Sequence, residues 1–210
     1  MFGMLLRDSG LTGVDFYVGG VDVSKRSIGK ARWAIYGQHS FPEDGVNIQE
    51  KYFKNTRSGF HVSQDIREYV SFTKANIISD KICPSNEFYD IIFCRNLLIY
   101  FSRETQKLVL DKLQLMLKNG GFLFVGHAEA AQINSDCFEK LNIPKSFSYR
   151  KIKTNVSGEV NVGSVDKLKN IYFFCNHQTK VYINKLFKWS CGAQCQAIIK
   201  EVNVFFMVRT

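Results

Sequence analysis

No stretch of this 210-residue chain reaches the roughly 18–20 consecutive apolar residues that a helical membrane span requires. Its first residues, Met1-Phe2-Gly3-Met4-Leu5-Leu6, run straight into Arg7-Asp8 and do not read as a signal peptide. The expectation is a soluble, cytoplasmic protein without membrane insertion, whose six cysteines are mostly reduced thiols. Acidic residues are in deficit: 19 Asp and Glu stand against 28 Lys and Arg, a formal charge of +9. Such a surplus suits an anionic partner, whether nucleic acid, membrane surface or acidic protein, and equally a basic surface with no partner at all. Basic residues are scattered and no nucleic-acid module is recognisable, so nucleic acid is not the expected partner. Hydrophobic residues at 45% and charged ones at 22% exclude a disordered or fibrous chain. The length suits one good-sized domain with a tail, or two small domains.

The most informative stretch runs from Phe88 to Phe101. Phe88-Tyr89-Asp90-Ile91-Ile92-Phe93 reads as a strand buried on both faces, as in parallel α/β sheets. It turns polar at Cys94-Arg95-Asn96, and Ser102-Arg103-Glu104 then reads as a helix start with Ser102 as N-cap. Polar groups at the carboxyl end of a buried strand are where open α/β sheets bind ligands.

Elsewhere the pattern repeats. Residues 1–10 read as a helix end stopping at Ser9-Gly10, and Val14–Val21 as a strand with Asp22 at its carboxyl end. Ser24 can cap a helix over 25–35 that buries Ile28, Ala31 and Ile35. Strands near Lys51–Asn55 and Gly59–Val62 with a turn between them predict a hairpin. Val70–Ile78 is a further strand and its exit. A helix from 103 to about 117 places Val109, Leu113 and Met116 on one face, with Leu110 and Leu117 beside it. Lys118-Asn119-Gly120-Gly121 stops it, and Phe122–Gly126 is another buried strand. This order predicts a doubly wound, mostly parallel sheet. From the residues alone, Asp22 either accepts hydrogen bonds from the hydroxyls of a ribose or merely starts its helix. Asn76 and Asn96 read as turn formers, Arg95 as a salt-bridging residue, and Tyr100 as a buried tyrosine donating to backbone.

The run Phe93-Cys94-Arg95-Asn96-Leu97-Leu98-Ile99-Tyr100-Phe101 resembles the signature of the CheR family of chemotaxis-receptor methyltransferases. Three more stretches match in the same order: Gly20–Ser24, Phe72–Ile77 and Gly120–Glu129. Together they cover roughly residues 1–151, and Phe147–Lys151 matches the family's closing antiparallel strand. Similarity is greatest to a chemotaxis-like signalling branch with an insertion resembling Ala31–Phe41. The resemblance implies a Rossmann-like fold, S-adenosylmethionine as cofactor, and O-methylation of glutamate side chains on a chemoreceptor-like protein. It also implies that Asp22, Asn76, Ile77, Arg95 and Asn96 bind the cofactor, and that Tyr100 and Arg95 serve the reaction. A small β-subdomain over 41–70 would hold the receptor, through Lys51, Phe53, Arg57 and Phe60; an insertion packed by its own aromatics is the competing reading. His127 and Glu129 could line the same crevice.

Chemically, methyl transfer from a sulfonium to a carboxylate needs no general base, because the nucleophile is ionised at neutral pH. Orientation is the requirement, so orienting groups rather than a catalytic triad are expected. The front of the chain departs from the family, which begins this domain with a strand and a Gly-containing loop. Here Met1–Asp8 aligns only with the helix after that segment, and no Gly-rich strand–turn–helix occurs elsewhere. The expectation is a domain lacking its first, central strand, with weak or no cofactor binding; the alternative is a non-catalytic receptor-binding module. Loss of that strand would leave two apolar strand edges open or force them to pair directly. A less favoured repair has a tail strand such as Ile171–Cys175 in the gap. The tail, 152–210, shows no repeat period, and Ile171–Cys175 and Val202–Val208 have strand character without evident partners. Cys175, His177, Cys191 and Cys195 are too loosely spaced for a structural zinc site, so no metal is expected.

Overall fold

A computed structural model of the chain describes residues 2–8, 10–11, 15–41, 46–80, 82, 86–133, 136–143, 146–152 and 205–209. The strand-forming runs assemble into a seven-stranded mixed sheet. In chain order its strands are β1 (Tyr17–Asp22), β5 (Val70–Lys74), β6 (Tyr89–Cys94), β7 (Leu117–Val125), β8 (Phe138–Lys140), β9 (Ser148–Lys151) and β10 (Phe205–Arg209). Their spatial order is β5-β1-β10-β6-β7-β9-β8. A separate three-stranded antiparallel sheet, ordered β2-β4-β3, comprises β2 (Ile35–Tyr36), β3 (Phe53–Thr56) and β4 (Gly59–Val62). The helices are α1 (Phe2–Asp8), α2 (Lys25–Trp33), α3 (Val46–Tyr52), α4 (Gln64–Arg67) and α5 (Arg103–Met116).

Alternation along the strands builds two cores, because successive side chains point to opposite faces. On one face Ile92, Cys94, Leu123, Val125 and Met207 pack with Val109, Leu113 and Met116 of α5. On the other, Val18, Ile91, Phe93, Phe122 and Phe124 pack with Phe2 and Leu6 of α1. Phe93 stacks on Phe124 at 4.5 Å between centroids, and Phe2 lies 4.2 Å from Phe93.

The termini of the elements follow the local signals. Gly10 at φ +89° closes α1, with its N–H donating to the Arg7 carbonyl. Ser24 caps α2 through the Ser27 N–H, and Ser102 caps α5 through the Thr105 N–H. Three expectations shift. Helix α2 stops at Trp33, Ala34 turns left-handed at φ 54°, and Ile35 begins β2 instead of completing the helical stripe. The predicted hairpin is β3–β4, with Lys51 on α3 rather than on a strand. Residues 117–121 stop α5 as expected, yet they also enter β7 through a register shift opposite Tyr89 and Ile91.

The larger difference lies at the centre of the sheet. Neither open edges nor direct pairing of β1 with β6 is found: β10 lies between them, antiparallel to both. Val208 pairs with Val18 and Ile91, Met207 with Gly19 and Ile92, and Phe206 with Gly20 and Phe93. Phe205–Val208, the end of a run that shows no evident partner in sequence, therefore lies in a strand with partners on both sides. Two buried apolar edges have unpaired backbone donors and acceptors that must be satisfied, and β10 satisfies both. Met207 is 2% exposed. Ile171–Cys175 lies outside the described residues, as do Cys175, His177, Cys191 and Cys195.

Candidate active site at the sheet crest

The register of β10 fixes where the site residues stand. Gly20, Phe206 and Phe93 occupy one row across β1, β10 and β6. Asp22 follows Gly20 by two residues and Arg95 follows Phe93 by two, so both leave the sheet at the same end. Two strand spacings put their backbones about 10 Å apart. Asp22 pairs with Lys74 of β5, which brings Asn76 to the same crest. Cys94 pairs with Val125, so Gly126 and His127 follow from β7 on the far side. The carboxyl ends of β5, β1, β6 and β7 thus line one edge, with Phe205, the start of β10, between Asp22 and Arg95.

Asp22 is half-buried, and one carboxylate oxygen accepts the Ser24 N–H at 2.5 Å. The helix-starting contact leaves further acceptor positions on Asp22, since a carboxylate offers about four. Asn76 behaves as a turn former: its Oδ1 accepts the Ile78 N–H at 2.9 Å, and its own N–H donates to Asp80 at 2.8 Å. That backbone N–H, with the Ser79 hydroxyl, holds the Asp80 carboxyl below its ordinary range. Ile77 is buried in the core, and Lys112 of α5 donates to the carbonyls of Ile77 and Ile78. The turn bearing Asn76 and Ile77 is therefore tied to α5.

After β6 the chain makes a tight, polar-anchored loop. Asn96 sits in the left-handed region at φ 58°, a conformation asparagine tolerates better than most residues. Leu98 is fully buried and anchors the 3-10 turn Leu98–Tyr100, whereas Ile99 and Tyr100 project outward. Tyr100 is 70% exposed, so the buried, backbone-donating reading of this tyrosine does not apply. Arg95 is half-buried beside it in the chain. Gln106 of α5 donates to the Leu98 and Phe101 carbonyls at 2.9 and 3.1 Å, holding the loop from its outer side.

The inner side is held by Glu129, a residue that sequence reasoning placed among the crevice-lining polar groups. It is 1% exposed. Its Oε1 accepts the N–H groups of Leu97 and Leu98, both at 2.7 Å. Its Oε2 accepts those of Asn96 at 2.9 Å and Gly126 at 2.6 Å. All four acceptor positions are filled from the backbone, so Glu129 lies beneath the crest and not in it. The usable signal was its spacing, three residues after the strand-ending Gly126, where a carboxylate reaches back to a turn's first N–H. A Cβ at Gly126 would stand 2.6 Å from Glu129 Oε2, so any larger residue would displace that carboxylate. Cys94, beneath the same loop, has its thiol pushed well above the ordinary range by burial and by the Glu129 carboxylate. His127 is exposed, with its ring edge-on to Phe147 at 5.0 Å.

The expected receptor-holding residues lie on α3 and the β3–β4 hairpin. Phe53 and Phe60 pack edge-on with Phe41 at 4.8 and 5.1 Å, and Phe53 also with Tyr36. The β-subdomain is thus packed by its own aromatics, with Arg57 exposed on its hairpin turn. Lys51 is ion-paired with Asp8, a contact that raises its ammonium pKa, and Tyr52 donates to the same carboxylate at 2.6 Å.

An acidic oxygen on β1 and a fixed turn on β5 stand at the outer walls of this crest. A loop with ordered backbone follows β6. The chain is 34% identical over 148 residues to the "Probable biofilm formation methyltransferase WspC" of Pseudomonas aeruginosa, covering 70% of this chain and 35% of that protein. It is 31% identical over 151 residues to "Chemotaxis protein methyltransferase 2" of Vibrio cholerae, covering 71% and 52%. To the "Chemotaxis protein methyltransferase" of Escherichia coli it is 33% identical over 113 residues, covering 51% and 39%. The chain thus spans about a third to a half of the length of these relatives. Residues 2–147 match the family described as "CheR methyltransferase, SAM binding domain", and the chain belongs to the CheR methyltransferase family.

Proposed function

We propose that this chain acts as a protein-glutamate O-methyltransferase, using S-adenosylmethionine to methylate glutamate side chains of a chemoreceptor-like protein. The observation that carries the reading is the common row: Asp22 and Arg95-Asn96 emerge at one crest, two strand spacings apart. The cofactor, when bound, supplies a methyl group on a positively charged sulfur. Asp22 is the residue to accept the ribose hydroxyls, the Asn76-Ile77 turn the one to bound the adenine, and Arg95-Asn96 the one to hold the far end. Tyr100, exposed on a rigidly anchored turn, is placed to steer an incoming carboxylate with its hydroxyl. The acceptor needs no deprotonation, so these residues act by orientation and by excluding water. Lys51, Phe53, Arg57 and Phe60 are the proposed receptor contacts.

One observation favours a second reading. The strand between Asp22 and Arg95 runs antiparallel, so its amino end, not a loop leading into a helix N-terminus, meets the crest. A helix N-terminus gathers backbone N–H donors toward an anionic group, and that source of grip is not supplied by β10. A non-catalytic receptor-binding module would follow if the remaining walls do not suffice. Titration calorimetry of the full chain with S-adenosylmethionine and S-adenosylhomocysteine decides between them. Saturable heat, weakened at least about ten-fold by Asp22→Ala, is the expected result, since the substitution removes hydrogen bonds to a charged acceptor. Absence of heat at millimolar ligand would establish the module instead.

A further inference from the structure

We infer that Glu129 is a positioning residue of the cofactor site, setting ligand affinity through the loop Arg95–Tyr100 that it holds from below. The inference rests on the reading of the crest as an S-adenosylmethionine site and deepens it. Four backbone N–H groups converge on one buried carboxylate: those of Asn96, Leu97 and Leu98 from the loop, and that of Gly126 from the end of β7. Three consecutive N–H groups pointing inward to one side chain leave the loop little freedom to choose another conformation. Leu98 is fully buried and Leu97 packs partly buried against the core, but the rest of the loop has little burial to fix it. Asn96 carries a positive φ, and Ile99 and Tyr100 are 45% and 70% exposed. Glu129 thereby ties the end of β6 to the end of β7, the two strand ends that flank the proposed far end of the cofactor.

Loss of this carboxylate leaves buried donors without acceptors, and the loop must rearrange to find water. Because Glu129 has no acceptor capacity to spare, its effect on ligand reaches the site only through Arg95, Asn96 and Tyr100. Glu129→Gln is the direct variant: one oxygen still accepts, but the amide nitrogen meets two N–H donors. Gly126→Ala attacks the same clamp from outside, since its Cβ would stand 2.6 Å from Oε2 and 3.3 Å from Asn96 Oδ1.

The experiment combines thermal melting, amide NMR and calorimetric titration of the full chain with S-adenosylhomocysteine. In either folded variant the amide resonances of Asn96, Leu97 and Leu98 should move or broaden without ligand, and Kd should rise at least about ten-fold. A merely structural role would lower Tm while leaving the Kd of the folded protein unchanged, and that result overturns the proposal. If both variants fail to fold, Glu129 is a folding residue and the proposal also falls. If the wild-type chain itself binds no S-adenosylhomocysteine, the reading of the crest fails, an outcome distinct from unchanged affinity in the variants.

Discussion

At the scale of single residues, the crest is governed by side chains that accept hydrogen bonds from backbone. Asp22, Asp80 and Glu129 each hold a turn after a strand, and each turn carries a residue of the proposed site. Asp80 gives this a pH signature. Its carboxyl is held below the ordinary range first by the Asn76 N–H and then by the Ser79 hydroxyl. A depressed folded-state pKa means the contribution is complete above the unfolded value, near pH 4 for an aspartate. It is lost as pH falls through the lower folded value. Following the Asn76 amide resonance from about pH 6 to pH 2 should therefore show a transition below pH 4 that Asp80→Asn abolishes. A shift centred at or above pH 4 would contradict the assignment. Asp80 is solvent-exposed, so the effect is local to the turn and not a term in global stability.

At the scale of elements, β10 does what a first strand would do in a parallel sheet, with the opposite direction. Its fit depends on one buried side chain that the register places against Gly19 and Ile92. Met207 reaches into the α5-side core. Met207→Ala should cost about 2–5 kcal/mol, lowering Tm by roughly 5–15 °C for a chain of this size. An unchanged melting curve would mean that β10 does not hold its central place in solution. The helices are simpler: α2 and α5 start at serines whose hydroxyls accept the N–H three residues on. The sequence pattern locates both starts to the residue.

For the molecule as a whole, β10 is the seam of the large sheet. On one side lie β5 and β1, on the other β6, β7, β9 and β8. Deleting residues 205–210 should expose two strand edges at once. Hydrogen exchange should then lose protection in both Tyr17–Asp22 and Tyr89–Cys94, while the β2-β4-β3 sheet keeps its own. Loss confined to the β10 segment alone would show that the two halves pair directly without it. Among the described residues no helix is long and apolar enough to cross a membrane.

The strands of the parallel core, the caps and the buried face of α5 were legible in sequence because each is set by local periodicity and by residues a few positions apart. The crest positions of Asp22, Arg95 and Asn96 were legible for the same reason: a polar break after a buried run marks a strand's carboxyl end. Sequence alone also determined the family, through the run Phe93–Phe101. Sequence did not show which strand would enter between β1 and β6, because pairing across nearly the whole chain length leaves no local signature. Only tertiary structure decided that Phe205–Arg209 takes that position, and in which direction, since the requirement came from two backbone edges distant in sequence. It also decided that Glu129 lies beneath the crest rather than in it. A carboxylate's role depends on which donors surround it, and three of its four belong to a loop more than thirty residues earlier in the chain.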